Sequence, residues 1–398
     1  MRIGMMTDTY KPYISGITNY IALNKRYLEK AGHEVYIFTF GNLDYQDDET
    51  NIIRSPGKAL VDTGFFLSYR YSREAKKLLQ TMDIVHVHHP LLSGLLALRY
   101  CRPHKIPILF TNHTRYDLYA QAYMPLLPEI ISASMLKTYM PPYCEAVDRV
   151  VSPSPGMAKI LRQLEVESHI EVIPNGVELQ RFHQAAPLSR SKFGFSPDDI
   201  LLVYTGRLAP EKNLDFLLKA FEGVAETLAK AHLLLIGGGI SQEKIEKQAA
   251  QSAAAERIHF VGRVDYDKMP GYLRMCDAFV TASISEVHPL SVIEAMGAGL
   301  PVLGIHSPGV GDTVEDGITG FLSTENLPAF TAKMTRLCIE NDLREKMGAA
   351  ASEASALYAV TRTTKMMIAL YENIIENAPP YDDEHDLSLR KIVERILP

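Results

Sequence analysis

Glu286 and Glu294 stand eight positions apart in SISEVHPLSVIEAMGAGLPV, residues 283–302. Pro289 suits the first turn of a helix, and Gly297, Gly299 and Pro301 end the apolar run, so a short helix is expected to open between the two acids. Its free backbone N–H groups, near Leu290 and Ser291, offer partial positive charge to an anion such as a diphosphate, which the two carboxylates would flank. The loop TGRLAPEKN sets Arg207 and Lys212 just after a strand, where two cations can neutralise a diphosphate without a metal. Gly237, Gly238 and Gly239 end another strand and permit close backbone approach, and FVGRV adds Gly262 and Arg263. Singly, each of these reads equally well as a salt bridge, a tight turn or a solvated face. Their ordered combination is what points to a phosphate site.

The elements that must position these residues repeat one plan. Met1–Thr7 reads as a buried strand, followed by a loop with Gly16, a helical pattern from about Ile17 to Lys30 closed by Gly32, and a strand at Val35–Phe40. DIVHVHHP and IPILFTNH end further strands, the second running into a loop that carries His113. Strands alternating with helical stretches imply a parallel, doubly wound sheet, with ligands beyond the carboxyl ends of its strands, where Gly16, His89 and His113 fall. The second half repeats the plan in ILLVYTGRLAPEKNLDFLLKAF, HLLLIGGGI, RIHFVGRV, DAFVTAS and PVLGI. Helical patterns follow at Leu327–Leu357 and Thr361–Asn377. The expected α/β organisation is therefore two Rossmann-like domains, residues 1–185 and 199–360, joined by a polar linker at 186–198. A helix at 361–380 would cross back to the first domain, and an acidic then amphipathic tail occupies 381–398.

Composition limits the function classes. The 398 residues are 46% hydrophobic and 22% charged, ordinary for a soluble globular protein and long enough for two cores. A net charge of −6 argues against nucleic acid as the main partner. The four cysteines are widely spaced with no CxxC pair, which suggests neither a zinc site nor a disulfide framework and fits reduced thiols in a cytoplasm. No signal-peptide pattern and no apolar run long enough to span a bilayer is present, so any membrane contact is expected to be peripheral, on the cytoplasmic face.

The series PNGVELQRF, TGRLAPEKN, LLIGGG, FVGRV, SEVHPLSVIEAMGAGLPV and VEDGITGFL resembles the retaining glycosyltransferases of family 4, which have the GT-B fold of two Rossmann-like lobes facing a cleft. The resemblance spans almost the whole chain. It implies that Arg207 and Lys212 hold the donor diphosphate, that Glu294 holds the nucleotide ribose, and that Glu286 contacts hydroxyls of the transferred sugar. It also implies that Gly16 lets the first helix approach the donor phosphate, that His113 of TNHTRYDLY bonds the sugar or polarises the reaction centre, and that Gly238, Gly262 and Arg263 line the donor site. Where the family has a small or glycine-bearing segment after the first glutamate, this chain has Val287, His288, Pro289 and Leu290. The opening TDTYKPYISGIT and TNHTRYDLY look like the branch of bacterial 1,2-diacylglycerol 3-glucosyltransferases. The resemblance thus implies transfer of a hexose, glucose from UDP-glucose, to a lipid hydroxyl such as diacylglycerol, with retention and without a required cofactor or metal. The alternatives are the same donor chemistry on phosphatidylinositol, a polyprenyl-linked glycan or a soluble sugar, and a GT-B-like nucleotide-sugar epimerase. Closure of the lobes would exclude water from the donor.

Other features keep two readings. Asp265 and Asp267 spell DxD, a metal motif, yet Asp265 sits at a helix start and reads better as a cap. His86, His88 and His89 have a spacing that could suit a metal, but no acidic or cysteine partner is near, and a polar strand end is the simpler reading. FFLSYRYSREAKKLL would put Arg70, Arg73 and Lys77 on one helical face, suited to an anionic membrane surface or simply to solvent. YMPLLPEIISASMLKTYM reads as core or as an acyl-chain groove, and LSLRKIVERIL as an interfacial helix or a packed one.

Overall fold

The computed structural model describes residues 1–59, 66–68, 70–116, 118 and 129–377. The chain forms two compact units, Met1–Gly176 with the helix Val360–Glu376, and Val177–Ala359.

The first unit is built on a parallel sheet of seven strands. In chain order its strands are β1 (Arg2–Met6), β2 (Glu34–Gly41), β3 (Ile52–Pro56), β6 (Ile84–Val87), β7 (Ile108–Thr111), β8 (Arg149–Ser152) and β9 (Ile170–Val172); in space they run β3-β2-β1-β6-β7-β8-β9. A small antiparallel ladder, β4 (Lys58–Ala59) with β5 (Phe66–Leu67), stands apart from it. The strand order reverses between β1 and β6, so the carboxyl ends of these two strands, leading into Thr7, Asp8, His88 and His89, flank the point where such sheets bind ligands. The helix Gly16–Lys30 starts on a capping box, in which the Ser15 side chain accepts from Thr18 N–H and the Thr18 side chain answers the Ser15 N–H. It ends at Gly32, whose positive φ of 88° turns the chain toward β2. Its inner face, Tyr20, Ile21 and Leu28, shares a core with Met367, Leu370, Tyr371 and Ile374 of the helix Val360–Glu376, so the carboxy-terminal helix is part of the first unit.

The second unit repeats the device with six parallel strands: β10 (Ile200–Thr205), β11 (Ala231–Ile236), β12 (Ile258–Gly262), β13 (Ala278–Thr281), β14 (Val302–Ile305) and β15 (Gly320–Ser323), in the spatial order β12-β11-β10-β13-β14-β15. Here the order reverses between β10 and β13. The strands are buried on both faces, as covering helices require, and two apolar clusters sandwich the sheet.

Two expectations need correction. Residues 186–198 are not the division between the units, which falls at Gly176/Val177 and Ala359/Val360. The polar stretch is tied into the second unit: the Leu188 N–H donates to the Gly271 carbonyl at 3.1 Å, Arg190 pairs with Asp277 at 2.9 Å, and Phe195 is buried. Second, the helix near Arg70 begins only at Arg73, because Ser72 caps it by accepting from Ala75 N–H and Tyr71 is drawn into the core. Arg70 therefore precedes the helix that carries Arg73 and Lys77. The helical pattern over Leu327–Leu357 forms two helices, Leu327–Ile339 and Asn341–Ser355, divided at Glu340. Residues 123–128 of YMPLLPEIISASMLKTYM and all of the tail from residue 378 lie outside the described residues; the rest of that stretch falls in the helix Glu129–Ala146.

Candidate active site

At the reversal point of the second sheet, β10 delivers Gly206 and Arg207 and β13 delivers Ser283–Glu286. A single turn of 3-10 helix, Pro210–Lys212, brings Lys212 back across the strand ends. Its ammonium lies 2.6 Å from Glu286 Oε1, both groups largely enclosed. Burial by itself would raise the Glu286 carboxyl, but the Lys212 charge and hydrogen bond, with help from Ser283 and Arg207, outweigh it and hold the group below its ordinary range. Arg207 donates to Glu211 at 2.9 Å, and the Ser285 hydroxyl donates to the Glu211 carbonyl at 3.1 Å. The result is a compact array of two cations and two carboxylates.

Backbone packing fixes this array. Gly237, at φ 144°, lies so close to the β10 loop that a Cβ on it would stand 1.8 Å from the Gly206 carbonyl oxygen, and one on Gly239 would stand 2.4 Å from that of Leu208. The glycines after β11 thus serve close approach between two loops, whereas Gly238 lies beside the Arg263 side chain. Gly262, at φ 77°, has open space where a side chain would be. The Gly309 N–H donates to the Glu286 carbonyl at 3.0 Å, so the segment Pro308–Thr313 seats on the backbone of the first glutamate.

The helix that opens between the acids and carries Glu294 spans Leu290–Gly297, with Pro289 as its N-cap and no side chain capping its first N–H groups, those of Leu290 and Ser291 included. It ends in a Schellman turn: Leu300 N–H bonds the Ala295 carbonyl, Gly299 N–H bonds that of Met296, and Gly299 takes φ 82°. Glu294 is the only charged residue of this helix. Its Oε1 accepts from the Tyr266 hydroxyl at 2.8 Å, and Arg181 lies over the Tyr266 ring at 5.2 Å. Burial raises the Glu294 carboxyl to about 7 despite the Tyr266 bond and the Arg181 charge. The two glutamates therefore sit in opposite electrostatic environments. His288 turns inward, its ring edge-on to Tyr358 at 5.0 Å.

In the first unit His113 follows β7, half-buried, with its ring 4.6 Å from that of Tyr20 and its Nε2 3.1 Å from His88 Nδ1. His86 is satisfied on both sides, by Tyr371 and Thr111 hydroxyls at 2.7 Å each. His89 Nδ1 lies 3.1 Å from the Thr7 hydroxyl. Burial, and then the neighbouring histidines, push His88 and His113 well below the ordinary imidazole range, so both are neutral near pH 7. Gly16 opens the first helix, and nothing stands within 4 Å of the place its Cβ would take. Asp265 and Asp267 are engaged by cations, Lys268 at 3.0 Å and Arg181 respectively. Asp265 occupies an N-cap position, but its side chain accepts no hydrogen bond from the cap.

Sequence reasoning misses Glu211 and Tyr266, and reads His88 only as part of a polar strand end, without its partner His113. Glu211 is legible as the residue four beyond Arg207. Tyr266 has no local signal, because it meets Glu294 from another element.

Two units built on parallel sheets, the second carrying cations and carboxylates at its topological reversal, define a GT-B glycosyltransferase. Residues 14–181 match Glycosyltransferase Family 4 and residues 186–354 match Glycosyl transferases group 1. The alpha-monoglucosyldiacylglycerol synthase of Streptococcus pneumoniae (strain ATCC BAA-255 / R6) is 31% identical over 333 residues, 81% of this chain and 75% of that protein. The enzyme of the same name from Acholeplasma laidlawii is 27% identical over 82% of this chain and 85% of its own length. Among solved structures, a sucrose-phosphate synthase from Thermosynechococcus elongatus superposes with a TM-score of 0.78 at 21% identity, covering 94% of this chain and 99% of that one. The chain belongs to the GT-B glycosyltransferases with family 4 and group 1 domains.

Proposed function

We propose that this glycosyltransferase moves glucose from UDP-glucose to the free hydroxyl of diacylglycerol, with retention at the anomeric carbon, forming a glycolipid at the membrane surface. The observation that carries the donor side is the Lys212–Glu286 pair beside Arg207 at the sheet reversal. Lys212 and Arg207 stabilise the charge that develops on the departing diphosphate, assisted by the uncapped N–H groups at Leu290 and Ser291. Glu286, kept ionised by Lys212, accepts hydrogen bonds from sugar hydroxyls. Glu294 accepts from the ribose, with Gly238, Gly262 and Arg263 along the nucleotide. From the first unit, Gly16 leaves room for the phosphate and neutral His113 bonds the sugar. Retention follows a front-face course, in which the leaving phosphate oxygen takes the acceptor's proton. These groups supply charge stabilisation without a resident metal or other cofactor. The lipid acceptor is supported by the names of the two bacterial relatives, and Arg73 and Lys77, with Arg70 before them, offer cations to an anionic bilayer.

The test is to incubate the protein with UDP-glucose, other nucleotide sugars and vesicles containing diacylglycerol, then identify lipid products and anomeric configuration by mass spectrometry and NMR. An α-glucosyl diacylglycerol made from UDP-glucose is expected. Sugar transfer only to phosphatidylinositol, a polyprenyl carrier or a soluble sugar would replace the acceptor, and sugar interconversion without acceptor would replace the reaction.

A further inference from the structure

His88 is completely buried, and among the described residues its side chain makes one hydrogen bond, through Nδ1 to His113 Nε2 at 3.1 Å, while its Nε2 has no partner. Both rings are held in place. His113 lies on Tyr20 and stacks on His88 at 5.3 Å, and His88 stands against His86 at 4.2 Å. His86 cannot relieve His88, because its two nitrogens already face the hydroxyls of Tyr371 and Thr111. Two proton placements satisfy the His88–His113 bond. With the proton on His88 Nε2, a buried N–H is left without an acceptor. With the proton on His88 Nδ1, the unmatched atom is a lone pair. Orphaned buried N–H groups are the rarer of the two in folded proteins, since a donor proton buried alone loses its whole hydration.

We infer that His88 is a positioning residue for the transfer reaction: its Nδ1–H donates to His113 Nε2 and so fixes neutral His113 as the tautomer protonated on Nδ1. His113 then meets its ligand as a hydrogen-bond donor and not as a base, which suits bonding a sugar oxygen or a leaving oxygen that gains negative charge. The burial that keeps both rings uncharged supports this arrangement, because a neutral imidazole with one nitrogen committed has one defined role left for the other. Fully buried, His88 acts through His113. The consequence for catalysis rests on the glycosyl-transfer reading above, whereas the tautomer does not.

The test therefore has a substrate-free arm. Long-range proton–nitrogen correlation spectra of the full chain, with His113 assigned by comparison with His113→Gln, report which nitrogen carries the proton; Nδ1 is expected, and a proton on Nε2 overturns the inference. In the activity arm, His88→Asn keeps an amide donor near the place of Nδ1, and His88→Leu does not. Asn is expected to retain most of the turnover and Leu to lose roughly a hundredfold, the scale of a misplaced reacting group. If Asn and Leu fall equally while the Asn variant melts like the parent, His88 is a packing residue and the inference fails. If Leu does not fold, the tautomer spectrum of the parent still decides. Loss of the proposed acceptor with the Nδ1 tautomer intact would count against the assigned reaction and leave the histidine geometry standing.

Discussion

A carboxylate is tuned by what surrounds it, and Glu286 and Glu294 are tuned in opposite senses eight residues apart. For Glu286 the cation is essential: Lys212→Ala removes both a charge-stabilising donor and the partner of an enclosed acid. Turnover is expected to fall by roughly 100- to 1,000-fold, measured with saturating donor. Among the described residues no cation pairs with Glu294, and burial raises its carboxyl to about 7 from an ordinary 4.5. An acid raised by folding makes the native state bind more protons than the unfolded chain between these values. Stability from this group is thus greatest below about pH 4.5 and declines as pH rises to about 7. Glu294→Gln removes that dependence. The ligand-free variant is expected to gain on the parent across this window, reaching on the order of 3 kcal/mol above pH 7, followed by melting temperature against pH. The same substitution should weaken nucleotide binding in calorimetry.

At the scale of elements, glycines decide whether the site can assemble. A Cβ at Gly309 would stand 2.5 Å from the Glu286 carbonyl oxygen, so Gly309→Ala pushes on the backbone of the first glutamate. Turnover is expected to drop at least tenfold with only a few degrees lost in melting temperature, because one short segment can retreat. Gly237→Ala is a harsher change, since it combines a positive φ with a contact of 1.8 Å to backbone. It is expected to cost about 2 kcal/mol or more and to be visible as a lower denaturation midpoint. The Leu290–Gly297 helix shows how an apolar element can serve an anion. Its body is buried, its N-terminus is uncapped, and its Schellman turn brings the chain directly into β14.

For the whole molecule, charge distribution counts for more than net charge. A chain at −6 is not drawn to an anionic bilayer as a body, so any attraction must come from local cations such as Arg73 and Lys77. Flotation with anionic vesicles is expected at low salt, weakening as salt rises, and charge reversal at Arg73 and Lys77 should reduce it. Binding unchanged by reversal and by salt would move the membrane contact elsewhere. Among the described residues no helix is long and apolar enough to cross a membrane.

The sequence by itself determined the two parallel sheets, the short helix between the glutamates and the loops with Arg207, Lys212 and the strand-end glycines. These are written in local periodicity and in residues with special backbone freedom, which neighbours in sequence dictate. Tertiary structure alone decided the rest. The polar stretch 186–198 looks like a linker because few of its residues are apolar, yet Leu188, Arg190 and Phe195 bind it to the second unit through partners some 80 residues away or on other strands. The opposite tuning of Glu286 and Glu294 depends on Lys212 beside the first and on the burial of the second, and the state of His113 on His88. Such pairings arise only when crossovers bring distant strand ends side by side, and no spacing along the chain announces them.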